Sequence, residues 1–583
     1  METKIIVVRL LVIALLAIPV SAAQAQSPTG DIRGVVVDPA GAPMANVAIA
    51  VEHTATRIRR ELTTSADGRF LAPGLPPGVY EVTATLDGFA VRRQEDIALR
   101  PGRTATIRLE LDKARAPDTV TINTTPRVID TAQSSAASGV GPGELLMLPL
   151  ATRNAFDLAR VVPGATGSLR PVIDGIDADG QAVSLEVVRE LSVFTGAPPV
   201  EYSGALVAAS TRTGTNRFSG SAFDFVRDSR TQFGGTLGGP LIANRHFFFG
   251  SYDGTRVDLP FTGASADRNV LFVRTDHVLA QDHRLSVRVD DDVRTRVMGS
   301  SANAFGRSLF NEARVSGSDG FGQVADTLTF VHGSHQVRSG FDVSTDRLSG
   351  PDVDRYAVFV QDQWWINGST TVDGGVRFGR EPLPFVGIVD SDADWQPRIG
   401  AAWSSGTSRL AVRGAWRGMG DGVYHASGGV EWEWLPHVSI GGSYLDYRLN
   451  GEQTGGVALE IYRRFAQGLH YRLAYTRGTG DPISPVLAAL LPRNRLTTTA
   501  IYTTNVLADR HDGILKTVLK DWTISGVFAY QTSAGRSLDP RVARDIGLGG
   551  PLRVTLLWEA FNMLDSGSVT MPRTHQVAAR VSF

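Results

Sequence analysis

The chain ends with RTHQVAARVSF, residues 573–583, and polarity alternates from one residue to the next along this stretch. The apolar parity carries Val577, Ala579, Val581 and Phe583. The other parity carries Gln576, Ala578, Arg580 and Ser582. Because successive side chains of a β-strand point to opposite faces, the stretch predicts a strand with one apolar and one polar face.

The same two-sided pattern recurs from residue 216 to the end of the chain. Apolar parities include Leu285, Val287 and Val289; Val412 and Trp416; Leu469, Tyr471 and Leu473; and Trp522, Ile524 and Phe528. The opposite parity holds charged residues such as Arg288, Asp290, Arg413 and Arg472. Consecutive strands with a charged face and aromatic ends are typical of a transmembrane barrel, although a water-soluble sandwich also alternates.

A barrel in hydrocarbon must pair every backbone group, so its sheet has to close on itself. We therefore expect the last strand to pair with the first. A spanning strand needs about 9–11 residues, so residues 216–583 can hold ~18–22 antiparallel strands. The interior charges would line the lumen of this barrel and pair there.

Composition narrows the function classes. The chain has 583 residues, more than a single hydrophobic core usually organises, so several domains are expected. It has 58 basic and 59 acidic residues and no block of like charge. This balance argues against a nucleic-acid partner. Cysteine is absent, which excludes disulfides and thiolate metal sites.

Residues 1–25 have the pattern of a secretory signal peptide. Lys4 and Arg9 precede an apolar run at residues 10–20, and Ala23-Gln24-Ala25 is typical of a cleavage site. A membrane anchor would need about 20 uninterrupted apolar residues. We therefore expect export and cleavage after Ala25.

Residues 28–112 predict a small antiparallel β-sandwich. TATIRLEL (104–111) alternates throughout, and turn residues stand at 38–43 and 75–78. The string TTSADGRF…LPPGVYEV…DGF resembles the carboxypeptidase-regulatory-like, transthyretin-like domain. The chain has no HxxE or HExxH motif, so we expect no peptidase chemistry, and His53 is expected to be a surface strand residue. The resemblance implies weakly a carbohydrate contact.

The following segments carry a second resemblance. They are LPLATRNAFDLARVVPG (148–164), VIDGID (172–177), FGGTLGGPLIANRHFFFGSYDGTR (233–256), RYAVFVQDQWWINGSTTVDGGVRFG (355–379) and DWTISGVFAYQTSAGR (521–536). In this order they resemble TonB-dependent outer-membrane receptors of the Oar-like branch, which has the N-terminal regulatory-like domain. The resemblance implies a mainly β protein: a transthyretin-like sandwich, a linker and small α+β plug at 113–215, and a large antiparallel transmembrane barrel at 216–583.

Two short sites follow from this resemblance. DTVTI, comprising Asp118, Thr119, Val120, Thr121 and Ile122, resembles the box by which such receptors engage TonB, and its β-branched residues suit strand addition to a partner. It could equally be a linker strand. The terminal Phe583, with Val581, Ala579 and Val577 behind it, resembles the signal read by the barrel-assembly machinery.

The plug segment predicts a helix within residues 148–164 that presents Leu158 and Val161 on one face and closes at Pro163-Gly164. Asp174-Gly175 predicts a turn. The chain between Gly164 and Leu185 is short for this family, which weakens the expectation of a tight seal and of active transport.

Two remaining motifs favour ordinary structure. The spacing of His332 and His335 fits a hairpin turn better than a metal pair, and the run GGTLGGP (234–240) lacks the lysine and helix of a phosphate loop. We expect its glycines to give close contact between barrel and plug.

The function expected from the resemblance is that of a TonB-dependent receptor or transporter in the outer membrane of a Gram-negative bacterium, with the N-terminal domain in the periplasm. Its partners would be outer-membrane lipid, the TonB complex, the barrel-assembly machinery and an extracellular ligand, carbohydrate and peptide among the classes left open. No catalytic, cofactor or metal site is expected, so the chain is not expected to be an enzyme. Two alternatives stay open: a structural or adhesive barrel without active transport, and a secreted carbohydrate-binding β protein.

Overall fold

The structure is a computed structural model of the whole chain. It describes residues 29–113, 119–122, 133–165, 169–178, 183–202, 206–258, 265–280, 283–292, 294–306, 308–346, 353–380, 392–405, 409–418, 424–449, 452–479, 493–532, 535–564 and 573–583. The expected signal peptide, residues 1–25, lies outside these ranges.

The N-terminal sandwich consists of two facing sheets. Its strands are β1 (Gly30–Val37), β2 (Ala48–His53), β3 (Arg59–Thr63), β4 (Arg69–Leu75), β5 (Gly78–Thr85), β6 (Val91–Leu99) and β7 (Thr104–Glu110), and β8 (Thr119–Ile122) follows them. The sheet orders are β4-β1-β7 and β3-β2-β5-β6-β8. The expectation of a purely antiparallel sandwich is wrong, because β1 pairs with β7, and β6 with β8, in parallel. These parallel partners are far apart in sequence, so no turn signal announces them.

The plug is a five-stranded sheet with two short helices. It contains β9 (Ala137–Val140), helix α1 (Pro142–Met147), a 3₁₀ helix (Ala155–Val161), β10 (Arg170–Ile173), β11 (Ile176–Asp177), β12 (Val188–Phe194) and β13 (Leu206–Thr211). The predicted helix is therefore present as a 3₁₀ helix, and Leu158 and Val161 are both buried. Their spacing of three residues places them on one face of such a helix. The plug core continues into wall residues Phe249, Phe272 and Ile501.

Twenty-two antiparallel strands close into a barrel, which confirms the predicted fold class and the upper end of the predicted strand number. The strands are β14 (Ser219–Arg227), β15 (Arg230–Ile242), β16 (His246–Asp258), β17 (Ser265–Ala280), β18 (His283–Asp291), β19 (Thr295–Phe305), β20 (Leu309–Ser318), β21 (Phe321–His332), β22 (His335–Asp346), β23 (Val353–Trp365), β24 (Thr370–Arg380), β25 (Asp394–Ser404), β26 (Leu410–Gly418), β27 (Tyr424–Leu435), β28 (Val438–Leu449), β29 (Glu452–Ala466), β30 (Leu469–Thr479), β31 (Arg495–Thr503), β32 (Trp522–Gln531), β33 (Gly535–Gly549), β34 (Leu552–Phe561) and β35 (Thr574–Ser582). The closing pair is β14 with β35, in a register that opposes Ser221 to Ser582 and Val226 to Val577.

The outer face of the barrel is apolar. Exposed side chains on this face include Leu237, Val358, Ile399, Leu459, Ile524, Leu556 and Val577. The inner face carries buried arginines such as Arg288, Arg377, Arg417 and Arg472. A water-soluble sandwich would bury the apolar parity and expose the charged one, so the soluble alternative for this part of the chain is wrong. In the described part of the chain, no helix is long and apolar enough to span a bilayer.

The two ends of the barrel differ. The chain enters β14 and leaves β35 at the end where the sandwich sits, and the hairpin turns at Asn244 and at Gly333 lie there too. Apart from the helical connection at residues 504–521, the long connections, such as those between Arg380 and Asp394 and between Thr479 and Arg495, lie at the opposite end. Outer-membrane barrels have short periplasmic turns and longer external loops, so the sandwich end is the periplasmic end.

Candidate functional site in the barrel lumen

The Asp174-Gly175 turn of the plug is held by the barrel wall. Asp174 adopts a left-handed backbone conformation with φ of 48°, which aspartate tolerates in turns. Its carboxylate accepts hydrogen bonds from the backbone N–H of Thr211 at 2.9 Å and from the Thr211 hydroxyl at 2.6 Å. It also pairs with Arg288 at 2.8 Å and Arg274 at 3.4 Å, which lie on β18 and β17. Burial alone would raise the pKa of Asp174, but the two guanidinium groups hold that pKa below its usual value.

Glu186 forms a second link between plug and wall. Its carboxylate contacts Arg153 of the plug at 2.6 Å and Arg580 of the last strand at 2.5 Å. Burial opposes ionisation, but Arg580 and Arg153 outweigh it and lower the pKa of Glu186 to about 2. The plug therefore holds an ionised carboxylate against the strand that closes the barrel.

Glu144 of α1 forms the third link. It lies 3.2 Å from both Arg472 and His470 on β30, and it accepts a hydrogen bond from the backbone N–H of Gly141. Burial opposes its charge, yet the charge of Arg472 and the hydrogen bond with His470 lower the pKa of Glu144 to about 2. Arg472 also donates to the carbonyl of Gly139 at 2.6 Å.

The four charges predicted to line the lumen are all on the inner face. Arg288 pairs with Asp290 at 2.9 Å, as expected, whereas Arg413 pairs with Glu431 at 2.7 Å. Sequence reasoning missed the wall arginines that bind plug backbone carbonyls. They are Arg296, which donates to Asp177, and Arg314, which donates to Gly175, each at 2.7 Å. The sequence does show arginines at inward-facing positions of the strands. It does not show which plug carbonyl each one binds, because the plug residues come from a distant part of the chain.

The sandwich sits in the periplasmic mouth of the barrel. Asp31 pairs with Arg338 at 2.5 Å. Arg33 donates to Thr371 at 2.8 Å and lies over the ring of Trp365, and Arg69 donates to the carbonyl of Trp365 at 2.7 Å. These contacts join β1 and β4 of the sandwich to β22, β23 and β24 of the wall.

His53 is buried, so the expectation of a surface strand residue is wrong. It packs edge-on against Tyr80, and its Nδ1 atom lies 3.1 Å from the hydroxyl of Thr56. Burial and the nearby cations Arg189 and Arg284 lower the pKa of His53 to about 3. The contact of the sandwich with plug and barrel covers this residue, which the sequence of the sandwich alone cannot indicate.

The candidate TonB box forms an edge strand. Thr119, Val120, Thr121 and Ile122 make up β8, which pairs in parallel with Val91 to Gln94 of β6. Asp118 lies outside the described residues. The segment therefore extends the sandwich sheet by main-chain pairing, the mode by which such a segment would add to a partner's sheet.

A cavity of about 820 Å³ separates the sandwich from one side of the wall. The sandwich lines it with Arg92, Arg100 and Arg108. The wall lines it with glycines and serines at inward positions, as at Gly429, Gly441 and Ser443, together with Arg413, Glu431, Glu460 and Arg472. Small wall residues leave space there, and the cavity connects the plug with the periplasmic mouth.

The other motifs have structural roles. His332 and His335 face each other across the hairpin turn between β21 and β22, and His335 contacts Asp362 at 2.7 Å. No cluster of three or more potential metal ligands occurs among the residues described. The run GGTLGGP lies in β15, where a Cβ at Gly234 would meet Tyr252 and Phe223, and one at Gly239 would meet Phe218. The missing side chains at these glycines make room for neighbouring residues of the barrel wall. The expected contact with the plug is therefore wrong at these two positions.

Comparison with known proteins agrees with this architecture. The carboxypeptidase regulatory-like domain family matches residues 31–112. The TonB-dependent transporter Oar of Myxococcus xanthus is 27% identical over 288 residues, which are 40% of this chain and 27% of that protein. The matched part is thus about a quarter of the relative's length.

Solved structures share the fold at low identity. The siderophore receptor PirA of Pseudomonas aeruginosa has a TM-score of 0.59 and 13% identity over 77% of this chain and 100% of its own. The ferripyoverdine receptor of the outer membrane of the same species has a TM-score of 0.59 and 12% identity over 81% and 91% of the two chains. This chain therefore has the fold of the TonB-dependent receptors and resembles the branch with an N-terminal regulatory-like domain. Its apolar outer wall and this fold place it in the outer membrane of a Gram-negative bacterium.

Proposed function

We propose that this chain, an outer-membrane barrel with the fold of the TonB-dependent receptors, binds an extracellular ligand and passes it to the periplasm with energy transmitted by TonB. The observation that carries the proposal is the position of residues 119–122 on the sandwich edge, between sandwich and plug. A four-residue edge strand is held by few hydrogen bonds, so a partner that offers its own sheet edge can take it over.

Pulling on this segment would act on the plug. The chain from Ile122 leads to the plug, which is held to the wall through Asp174, Glu186 and Glu144. Water that enters a strained plug can solvate these charged groups, because ion pairs lose most of their strength in water. The cavity beside Gly429 and Gly441 then offers a route to the periplasmic mouth.

The proposal is tested by cross-linking in cells. The chain has no native cysteine, so Val120→Cys provides a single thiol in the candidate box. We expect a disulfide with a cysteine placed in the strand-adding region of TonB, and its loss when residues 118–122 are deleted. Deletion of residues 124–128, in the same linker, is the matched control. If the box variant forms no cross-link while TonB cross-links to another receptor in the same cells, the proposed coupling is wrong.

A second candidate function is a structural or adhesive barrel without active transport. It is favoured by the shortened chain between Gly164 and Leu185 and by the three buried plug-wall links. Under this function, cells that carry the deletion of residues 118–122 keep their adhesion or envelope phenotype. Under the proposed transport function they behave like cells without the protein.

We also propose that the C-terminal residues Val577, Ala579, Val581 and Phe583 are read during barrel assembly. Val577, Val581 and Phe583 are exposed on the outer surface of the last strand, where a membrane-embedded assembly factor can reach them. The closing pair of β14 with β35 forms only when this strand is delivered.

A further inference from the structure

The connection between β31 and β32 is unusual among the turns of the periplasmic end. It carries two helices, α2 (Asn505–Ala508) and α3 (Gly513–Leu519), where the turns at Asn244 and Gly333 are tight. The sequence of this helix and its C-cap is GILKTVLK. None of the residues of α3 is buried.

Helix α3 presents an apolar face that the described part of the protein leaves uncovered. Ile514 is 84% exposed, Leu515 50% and Val518 53%. At about 100° per residue these three side chains lie within one arc of the helix, and Lys516 and Lys520 lie outside that arc. A helix of this kind is amphipathic, although it is short.

The helix is attached to the lipid side of the wall. The indole N–H of Trp522 donates to the carbonyl of Val518 at 2.8 Å, and Arg544 donates to the carbonyl of Thr517 at 3.2 Å. Trp522 and Arg544 are opposed in the β32–β33 register, and they share the outward parity of the exposed residues Ile524 and Ile546. The apolar face of α3 is therefore continuous with the surface that meets hydrocarbon.

The charges next to this face suit phospholipid headgroups. Lysine occurs at only four positions of the chain, Lys4, Lys113, Lys516 and Lys520. Two of them stand at α3, where Lys516 pairs with Asp509 at 3.2 Å and Lys520 is exposed. Lysine side chains extend from the apolar boundary toward phosphate groups, and a tryptophan at the same level is typical of a membrane interface.

We propose that α3 lies in the headgroup region of the periplasmic leaflet, with Ile514, Leu515 and Val518 inserted among acyl chains and Lys520 beside an anionic phospholipid. The helix thereby fixes the depth of this side of the barrel in the bilayer. This interaction is independent of ligand transport and of TonB.

The test uses the absence of native cysteine. The full-length Ile514→Cys variant carries a nitroxide label and is reconstituted in nanodiscs of phosphatidylethanolamine and phosphatidylglycerol. We expect the label to collide more with dissolved oxygen than with a water-soluble nickel complex, as a label does at Leu556→Cys on the wall. A label at Glu110→Cys, exposed on the sandwich, serves as the aqueous control.

Two results would overturn the proposal. If the label at position 514 is as accessible to the nickel complex as the label at position 110, the helix lies in water. If it is inaccessible to both reagents, a protein surface covers it.

The charge is tested separately with Lys520→Glu in the labelled Ile514→Cys variant. We expect the label to become several-fold more accessible to nickel in nanodiscs that contain phosphatidylglycerol, and to change little in nanodiscs of phosphatidylcholine alone. An equal change in both lipids would show that the lysine does not recognise the anionic headgroup, and that part of the proposal would be wrong.

Discussion

Asp174 joins the plug to two wall strands through a single carboxylate. Because Arg274 and Arg288 are both buried around it, removal of the charge leaves two guanidinium groups with less compensation in a poorly hydrated site. We predict that Asp174→Asn destabilises the plug by about 3 kcal/mol, the order found when one partner of a buried ion pair is removed.

Hydrogen exchange of residues 170–177 and 206–211 measures this effect. The control is Asp267→Asn, which removes a pair with Arg256 that is exposed to water. An exposed pair is screened by water and contributes little to stability, so the control should exchange as the parent protein does. Equal exchange in both variants would contradict a locking role for Asp174.

Glu186 makes the plug sensitive to acid. Its pKa is about 2 in the folded protein against 4.5 for the free side chain, so folding favours the ionised form. The stabilisation, roughly 3 kcal/mol at most, is complete above the unfolded pKa and is lost as the pH falls through the folded pKa. We predict that unfolding of the plug is facilitated progressively between pH 4.5 and pH 2.

The Glu186→Gln variant should be less stable than the parent protein at neutral pH. Its stability should also fall less steeply between pH 4.5 and pH 2. Hydrogen exchange of residues 183–194, measured at several pH values, provides the test. A variant with the same acid profile as the parent would assign that profile to other carboxylates, such as Glu144.

At the scale of elements, β8 is a short strand at the edge of a sandwich sheet. The apolar core of the sandwich is built from residues of β1 to β7 and their turns, and β8 adds to one of its sheets by pairing with β6 at the edge. We predict that Val120→Pro removes the β6–β8 pairing, because proline lacks the N–H group, and costs the sandwich less than about 1 kcal/mol.

The measurement is exchange of residues 91–99 together with thermal unfolding of the sandwich. Val82→Ala in the buried strand β5 is the contrasting variant, for which we expect a loss of roughly 2 kcal/mol. If Val120→Pro unfolds the sandwich as strongly as Val82→Ala, then β8 is a structural strand and a poor candidate for release to a partner.

The last strand, β35, meets a different requirement on each of its two faces. Val577, Val581 and Phe583 face outward, while Arg580 faces inward to Glu186. We predict that Phe583→Ser slows assembly in cells several-fold but leaves the purified, refolded barrel closed. A closed barrel migrates differently on gels before and after heating, so this shift measures both the rate of assembly in cells and the closure of the refolded barrel. Normal assembly of this variant would contradict the proposed role of the C-terminal residues.

At the scale of the whole molecule, the sandwich closes the periplasmic mouth through a few polar contacts. The pair of Asp31 with Arg338 is central, because Asp31 is buried at this contact. We predict that Arg338→Ala loosens the docked sandwich and makes the linker at residues 123–132 more susceptible to protease. Arg59→Ala, which removes an exposed pair with Glu61 on the sandwich, is the control and should be cleaved at the parent rate.

The period-two pattern was sufficient to predict the barrel wall. Every parity assigned from residues 285–290, 410–416, 469–476 and 522–530 has the apolar side outward, since alternation is a local property of a strand. The Asp174-Gly175 turn and the His332–His335 hairpin were also predictable, because turn chemistry is local. His53 was not, because its burial arises where the sandwich meets other parts of the molecule.

The amino-acid sequence by itself determined that strands with one apolar and one charged face follow one another up to Phe583. It also determined that a sheet of such strands must close on itself in a membrane. Only the tertiary structure decided which carboxylate of the plug pairs with which arginine of the wall. It alone also decided that β8 lies at the edge of a sandwich sheet and that α3 contacts the outer face of the barrel wall. The physical reason is that side-chain direction in a strand repeats every two residues, whereas the plug–wall contacts join residues 100 or more positions apart, and many inward arginines are able to pair with each carboxylate.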